Sequence, residues 1–166
     1  MAAVRLIFAN LGTVCANGAD LEARQAMALA STWAGFAFTR ASVGNVHAIA
    51  HQLGGLYHTP HGLANAIMLA PVLRFYGPTI QAKLALLAVH ARVARASEPE
   101  ARRARKFIDS VEAMNRSMAI PQVLEALREK DIAALAKAAC WEADTNYPVP
   151  RTMSPAECEA LLRAVL

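Results

Sequence analysis

The chain has 166 residues, 55% hydrophobic and 18% charged, with 17 basic against 13 acidic side chains for a formal charge of +4. That is enough for one domain with a real core, too apolar for disorder, and too short for the two domains that most cofactor-dependent enzymes need. Aromatics are only 6%, Gly and Pro number 8 each, and alanine dominates the apolar count, so helices are expected rather than a sandwich or barrel.

Apolar residues recur at helical spacing almost throughout, so caps and breakers set the boundaries. A short helix over about Ala2–Leu11 stops before Gly12. A second is capped by Asp20 and carries Leu21, Met27, Leu29, Ala30, Trp33 and Phe36 toward Phe38. A third spans about Asn45–Leu53 between Gly44 and Gly54, and a loop from Gly54 to Pro60 follows. The fourth opens at Pro60 or His61 and runs to about Phe75, with Pro71 inside it to kink it. Pro78 opens a fifth, to about Ala96. Ser97 and Glu100 form a capping box for a sixth, to about Met118. Pro121 starts a short seventh, Asp131 caps an eighth to about Ala143, and Ser154 with Glu157 caps the last, after an irregular Asp144–Thr152 holding Pro148 and Pro150. No repeat or internal boundary is visible, and the expected fold is an all-α bundle of about eight or nine helices forming a single domain, 1–166.

The basic excess gathers in Arg102, Arg103, Arg105 and Lys106 on one helix, without aromatic stacking platforms, and reads as a solvated face rather than a nucleic-acid surface. Cys15, Cys140 and Cys158 are odd in number and far apart, which suits neither a disulfide framework nor a paired-cysteine zinc site. Residues 1–19 are too interrupted for a signal peptide, and no segment reaches the roughly 18 uncharged apolar residues of a membrane span. A cytoplasmic protein with neither nucleic-acid nor membrane partner is expected.

Four of the five histidines, His47, His51, His58 and His61, lie within fifteen residues, in HAIAHQLGGLYHTPHG. His47 and His51 are four apart and share a helix face, and a turn can bring His61 beside them. Convergent imidazoles are the start of a metal site. The zinc-protease pattern needs a Glu directly after the first His, where this chain has Ala48, so the histidines are not read as that site.

The segment Gly44–Ala66, GNVHAIAHQLGGLYHTPHGLANA, resembles the histidine signature of the group III iron-containing alcohol dehydrogenases. RQAMALASTWAGFAF is similar to the helix before that signature, Ile120-Pro121 to a short turn, and NYPVPRTMSPAECEALL to the closing helix, so the likeness covers essentially the whole chain and implies that family's C-terminal helical domain. It implies that His47 and His61 bind one Fe(2+) or Zn(2+), which the family completes with an Asp and a His from an upstream D-x-x-x-H helix. His51 matches a histidine that is not a ligand but lies by the nicotinamide and the substrate, in a catalytic and cofactor-binding position. Phe38 matches a position near the substrate pocket, with helix-core packing as the alternative. His58 has no matching role and reads as a loop residue. The implied reaction is NAD(P)-dependent oxidation of small alcohols or reduction of aldehydes.

The chain also departs from that family. No G-x-G-x-x-G occurs, so NAD(P) is not expected to bind this chain alone, and Asp20, Asp109, Asp131 and Asp144 each lack a His four residues on. The chain therefore reads as truncated, starting after half of the metal site. Pro71 sits one place later than the usual proline, and Tyr76 replaces a usual Asn. Three readings stand open: the metal-binding part of an iron-type alcohol dehydrogenase, inactive alone; one half of a split enzyme whose missing N-terminal half is another chain; or a non-catalytic helical protein that binds metal or merely packs its histidines. A homo-oligomer is expected if apolar surface is left bare. Metal binding by two imidazoles, with His51 able to rotate in as a third, is expected to be weak and zinc-biased.

Overall fold

Eight α-helices and two short 3-10 turns, with no strand, account for the regular structure of the chain, which the computed structural model describes from residue 1 to residue 166. They are α1 (Ala2–Ala16), α2 (Leu21–Ala41), α3 (Asn45–Tyr57), α4 (His61–Tyr76), α5 (Gln81–His90), α6 (Glu100–Ser117), α7 (Ile132–Asn146) and α8 (Pro155–Arg163). They form two compact units, each assembled from two separated stretches: Met1–Ala41 with Ile80–Met118, and Ser42–Thr79 with Ala119–Leu166. No linker of distinct composition marks them in the sequence, because each stretch is itself made of alanine-rich helices.

In the first unit α1 packs on α2, α5 on α6, and α1 also meets α5. Its interior is built from Ala23, Ala30, Leu84, Ala85, Ala88, Phe107 and Ile108, with the Phe8 and Phe107 rings 5.5 Å apart. On α6 the basic run is partly tied down: Glu98 takes Arg102 at 3.3 Å and Lys106 at 2.6 Å.

In the second unit α3 lies against both α4 and α7, and α8 packs on α7 and α4. Ile49, Leu53, Met68, Val72, Ile132 and Leu162 are essentially fully buried at its centre, with Ala48, Ala64, Ala136 and Ala139 letting the helix axes approach. Cys140 and Cys158 are buried free thiols there, and burial pushes both thiols up from their ordinary range, so neither is poised to react.

Several boundaries differ from the sequence expectation, for local reasons. Helix α1 passes through Gly12, a substitution that costs a helix only about 1 kcal/mol, and stops at Asn17, whose N–H bonds the Thr13 carbonyl. Helix α3 likewise continues through Gly54 and Gly55 to Tyr57, so the expected Gly54–Pro60 loop shrinks to His58–Pro60. Helix α5 ends at His90 rather than Ala96, and Arg92 turns to φ 60°. The Ser97–Glu100 box does not form: Pro99 precedes α6, and the Glu98 carboxylate instead accepts the Arg95 N–H at 2.8 Å.

No helix starts at Pro121. The backbone there is satisfied elsewhere, Leu124 N–H bonding the Val165 carbonyl at 2.7 Å and Leu127 N–H bonding Leu124, with both leucines buried. By contrast, Asp20 does bond the N–H of Ala23 at 2.9 Å, and Ser154 and Glu157 form the expected reciprocal capping box. No helix is long and apolar enough to cross a membrane.

Candidate metal centre and the carboxylate behind it

The second unit gathers three of the signature histidines. Helix α3 presents His47 and His51 one turn apart, and the short turn after Tyr57 starts α4 at His61. That turn is possible because His58 adopts a left-handed conformation, φ 55°, and closes α3 with an N–H bond to the Gly54 carbonyl. His58 is thus a helix terminator, exposed, with its role in the backbone.

The three rings form a triangle. Centroids are 5.3 Å apart for His47 and His61, 5.4 Å for His51 and His61, and 5.9 Å for His47 and His51. An imidazole nitrogen bonds a zinc-like ion at about 2.1 Å, so two rings on one tetrahedral ion have centroids about 5.2 Å apart. The His47–His61 and His51–His61 separations are both compatible with that. No group of three or more His, Cys, Asp or Glu side chains is arranged to hold an ion. Burial holds the His47 imidazolium down, and the neighbouring His61 and His51 add to this more than Glu142 opposes it. His47 is therefore favoured in the neutral form that a metal ligand requires.

The start of α3 is fixed by contacts within the same unit. Asn45, fully buried, donates its backbone N–H to the Tyr76 hydroxyl and its side-chain amide to the Arg151 carbonyl, each at 3.3 Å. Arg151 in turn lies 4.2 Å over the Phe75 ring, donates to the Phe75 carbonyl at 2.8 Å and pairs with Glu157. A side chain at Gly44 would meet the Tyr76 hydroxyl at 3.3 Å, so the glycine permits this close approach.

Behind the rings lies a carboxylate that the motif reading did not single out. Glu142 of α7 places Oε1 2.6 Å from His51 Nδ1 and 2.6 Å from the Tyr147 hydroxyl, while Oε2 accepts the Gln52 amide at 2.7 Å. On α4, Asn65 donates its amide to the His61 carbonyl at 2.8 Å and lies 3.2 Å from His61 Nε2. Asn65 and Gln52 were reachable from spacing, being four residues after His61 and directly after His51. Glu142 was not, because only the packing of α3 on α7 brings it there. Phe38 belongs to the first unit, on α2, and at 54% exposure it is not a core residue of that unit.

The model of the Fe-containing alcohol dehydrogenase family, C-terminal, matches residues 1–166. The chain belongs to that family. It is 38% identical to the 1,3-propanediol dehydrogenase of Klebsiella pneumoniae, over 98% of this chain and 42% of that protein. Identity to the 1-propanol dehydrogenase of Salmonella typhimurium is 35%, over 96% of this chain and 44% of the relative. Among solved structures, a 1,3-propanediol oxidoreductase superposes with a TM-score of 0.93 at 37% identity, covering all of this chain and 44% of the other. The alcohol dehydrogenase from Oenococcus oeni gives 0.91 at 27% identity, over 99% and 43%. The chain thus spans less than half the length of these iron-containing alcohol dehydrogenases, in their C-terminal helical part.

Proposed function

We propose that the chain is the metal-binding part of an iron-type alcohol dehydrogenase, with His47 and His61 as ligands of a divalent ion and His51 beside the reacting atoms. The observation that carries this reading is the 5.3 Å separation of the His47 and His61 rings, set by a helix and the turn after it. The depressed protonation of His47 supports it, since a proton competes for the same nitrogen as the metal.

When bound, a divalent ion with imidazole ligands and open positions would act as a Lewis acid on an alcohol or aldehyde oxygen. The residues of this chain would hold that ion and orient the groups around it. His47 is kept neutral by its surroundings, and His51 offers a nitrogen to a nearby proton. The names of the relatives, a propanediol and a propanol dehydrogenase, point to small alcohols or the matching aldehydes as substrates. NAD(P) would be the hydride carrier and iron or zinc the ion, with the dinucleotide-binding part and the remaining ligands supplied outside these 166 residues. Association of the chain with itself or with such a complementary part belongs to the same proposal.

Anaerobic calorimetric titration with zinc and ferrous iron tests the reading. Weak binding near one equivalent is expected, weakened at least ~10-fold by His47→Ala or His61→Ala, since even groups behind the ligands of a metal site contribute that much. His58→Ala should leave it unchanged. Absence of binding, or binding indifferent to His47 and His61, would overturn the assignment.

A further inference from the structure

We infer that Glu142 is the positioning residue of His51, fixing the imidazole in the Nδ1–H tautomer and leaving Nε2 as its free nitrogen. The inference rests on the proposed function for the meaning of that free nitrogen, but the geometry stands without it.

A carboxylate only accepts hydrogen bonds when ionised, and Glu142 faces three groups that can donate: His51 Nδ1, the Tyr147 hydroxyl and the Gln52 amide. The Gln52 amide nitrogen has no choice of role, and it also bonds the Ala48 carbonyl at 3.3 Å. Tyr147 Oη and His51 Nδ1 share Oε1, each at 2.6 Å, within the charge-assisted range for the hydroxyl and just short of it for the imidazole. The Tyr147 phenol is pushed up to about 12, chiefly by its hydrogen bond to Glu142, which agrees with a hydroxyl that keeps its proton and donates it. With both oxygens engaged, the remaining contact requires a proton on His51 Nδ1.

The carboxylate is itself held from two sides. Gln52 comes from α3, next to His51, and Tyr147 ends α7 with its N–H on the Ala143 carbonyl at 3.0 Å. Glu142 is only 16% exposed, whereas His51 is 40% exposed. At that exposure the pair contributes little to stability. Its consequence is orientation: the tautomer of an imidazole is set by the bond that its other nitrogen makes. Free histidine side chains favour Nε2–H, so without the carboxylate the free nitrogen would lose its lone pair to a proton. The His51 ring, stacked on His61 at 20° between planes, would then present a donor where it now presents an acceptor.

Long-range 1H–15N spectra of the uniformly labelled 166-residue chain, taken where the imidazoles are neutral, read the tautomer directly and need neither metal nor turnover. His51 is expected as Nδ1–H in the wild type and in Tyr147→Phe, and as Nε2–H or a mixture in Glu142→Leu. In the same Glu142→Leu chain the Tyr147 phenol should titrate nearer its ordinary 10, confirming that the carboxylate acted there. An Nε2–H wild type overturns the inference even if no variant folds, and so does an unchanged His51 tautomer in a folded Glu142→Leu chain. Failure of the metal titration with His47→Ala and His61→Ala would instead strike the proposed function and leave the tautomer result standing.

Discussion

Asn45 shows how one buried side chain conditions the candidate site. It has no solvent exposure, its side-chain N–H donates to the Arg151 carbonyl, and its side-chain oxygen Oδ1 has no hydrogen-bond partner. Asn45→Ala should therefore cost about 1–2 kcal/mol in chemical denaturation, a lost hydrogen bond plus a small void. Asn45→Asp should cost more, about 3 kcal/mol or above at neutral pH, because an unpaired carboxylate would face a carbonyl; its stability should recover as pH falls and the carboxyl protonates. Equal losses for the two variants would refute this.

All three phenols are raised: Tyr57 and Tyr76 mainly by burial, Tyr147 to about 12 mainly by Glu142. A phenol with a raised folded pKa gives stability that is complete below the unfolded value of 10.0 and is lost as pH climbs through about 12. Denaturation midpoints should fall between pH 10 and 11.5, and less steeply in Tyr147→Phe. The histidines of this site could be read from the sequence because four residues along a helix and a short turn are local relations. The Glu142–His51 contact spans 91 residues and depends on α3 packing against α7, which no spacing rule reports.

At the scale of the element, helix ends carry the information that the sequence states well or badly. Side-chain caps were legible when the capping residue had no competitor: Asp20 and Ser154 act as their types dictate. They are less legible where a neighbour takes the part, as Glu98 does ahead of Pro99, and where a helix runs through glycine at its modest cost, as at Gly12 and Gly54. Ser154→Ala should lower stability by about 1 kcal/mol through loss of the bond to the Glu157 N–H.

The end of α3 offers the opposite test. His58 sits at φ 55°, a conformation that glycine adopts without the clash of a Cβ, so His58→Gly should raise stability by about 0.5–1 kcal/mol while leaving metal affinity unchanged. A fall in the melting temperature, or a loss of metal binding, would show that the imidazole of His58 does more than end a helix.

On the scale of the whole molecule, the unusual feature is apolar surface left bare on α2 of the first unit. Leu29, Trp33 and Phe36, spaced to share one helical face, are 42%, 40% and 71% exposed, and Leu21 at the start of the same helix is 79% exposed. Isolated surface hydrophobics need no explanation, but several large ones on consecutive turns form the kind of contiguous patch that associates in water. The formal charge of +4 over 166 residues is too small to oppose this strongly at physiological ionic strength. We therefore expect the chain to self-associate. Sedimentation velocity should show a weight-average coefficient that rises with concentration, and the double variant Trp33→Ser, Phe36→Ser should flatten that rise with its helical circular dichroism intact. The patch lies on a different helix from His47 and His61, so the weak metal binding expected of those residues should persist in the double variant. A wild-type chain that stays monomeric at high concentration would show that this face does not associate in water. Association that the double variant leaves unchanged would place the contact elsewhere on the molecule.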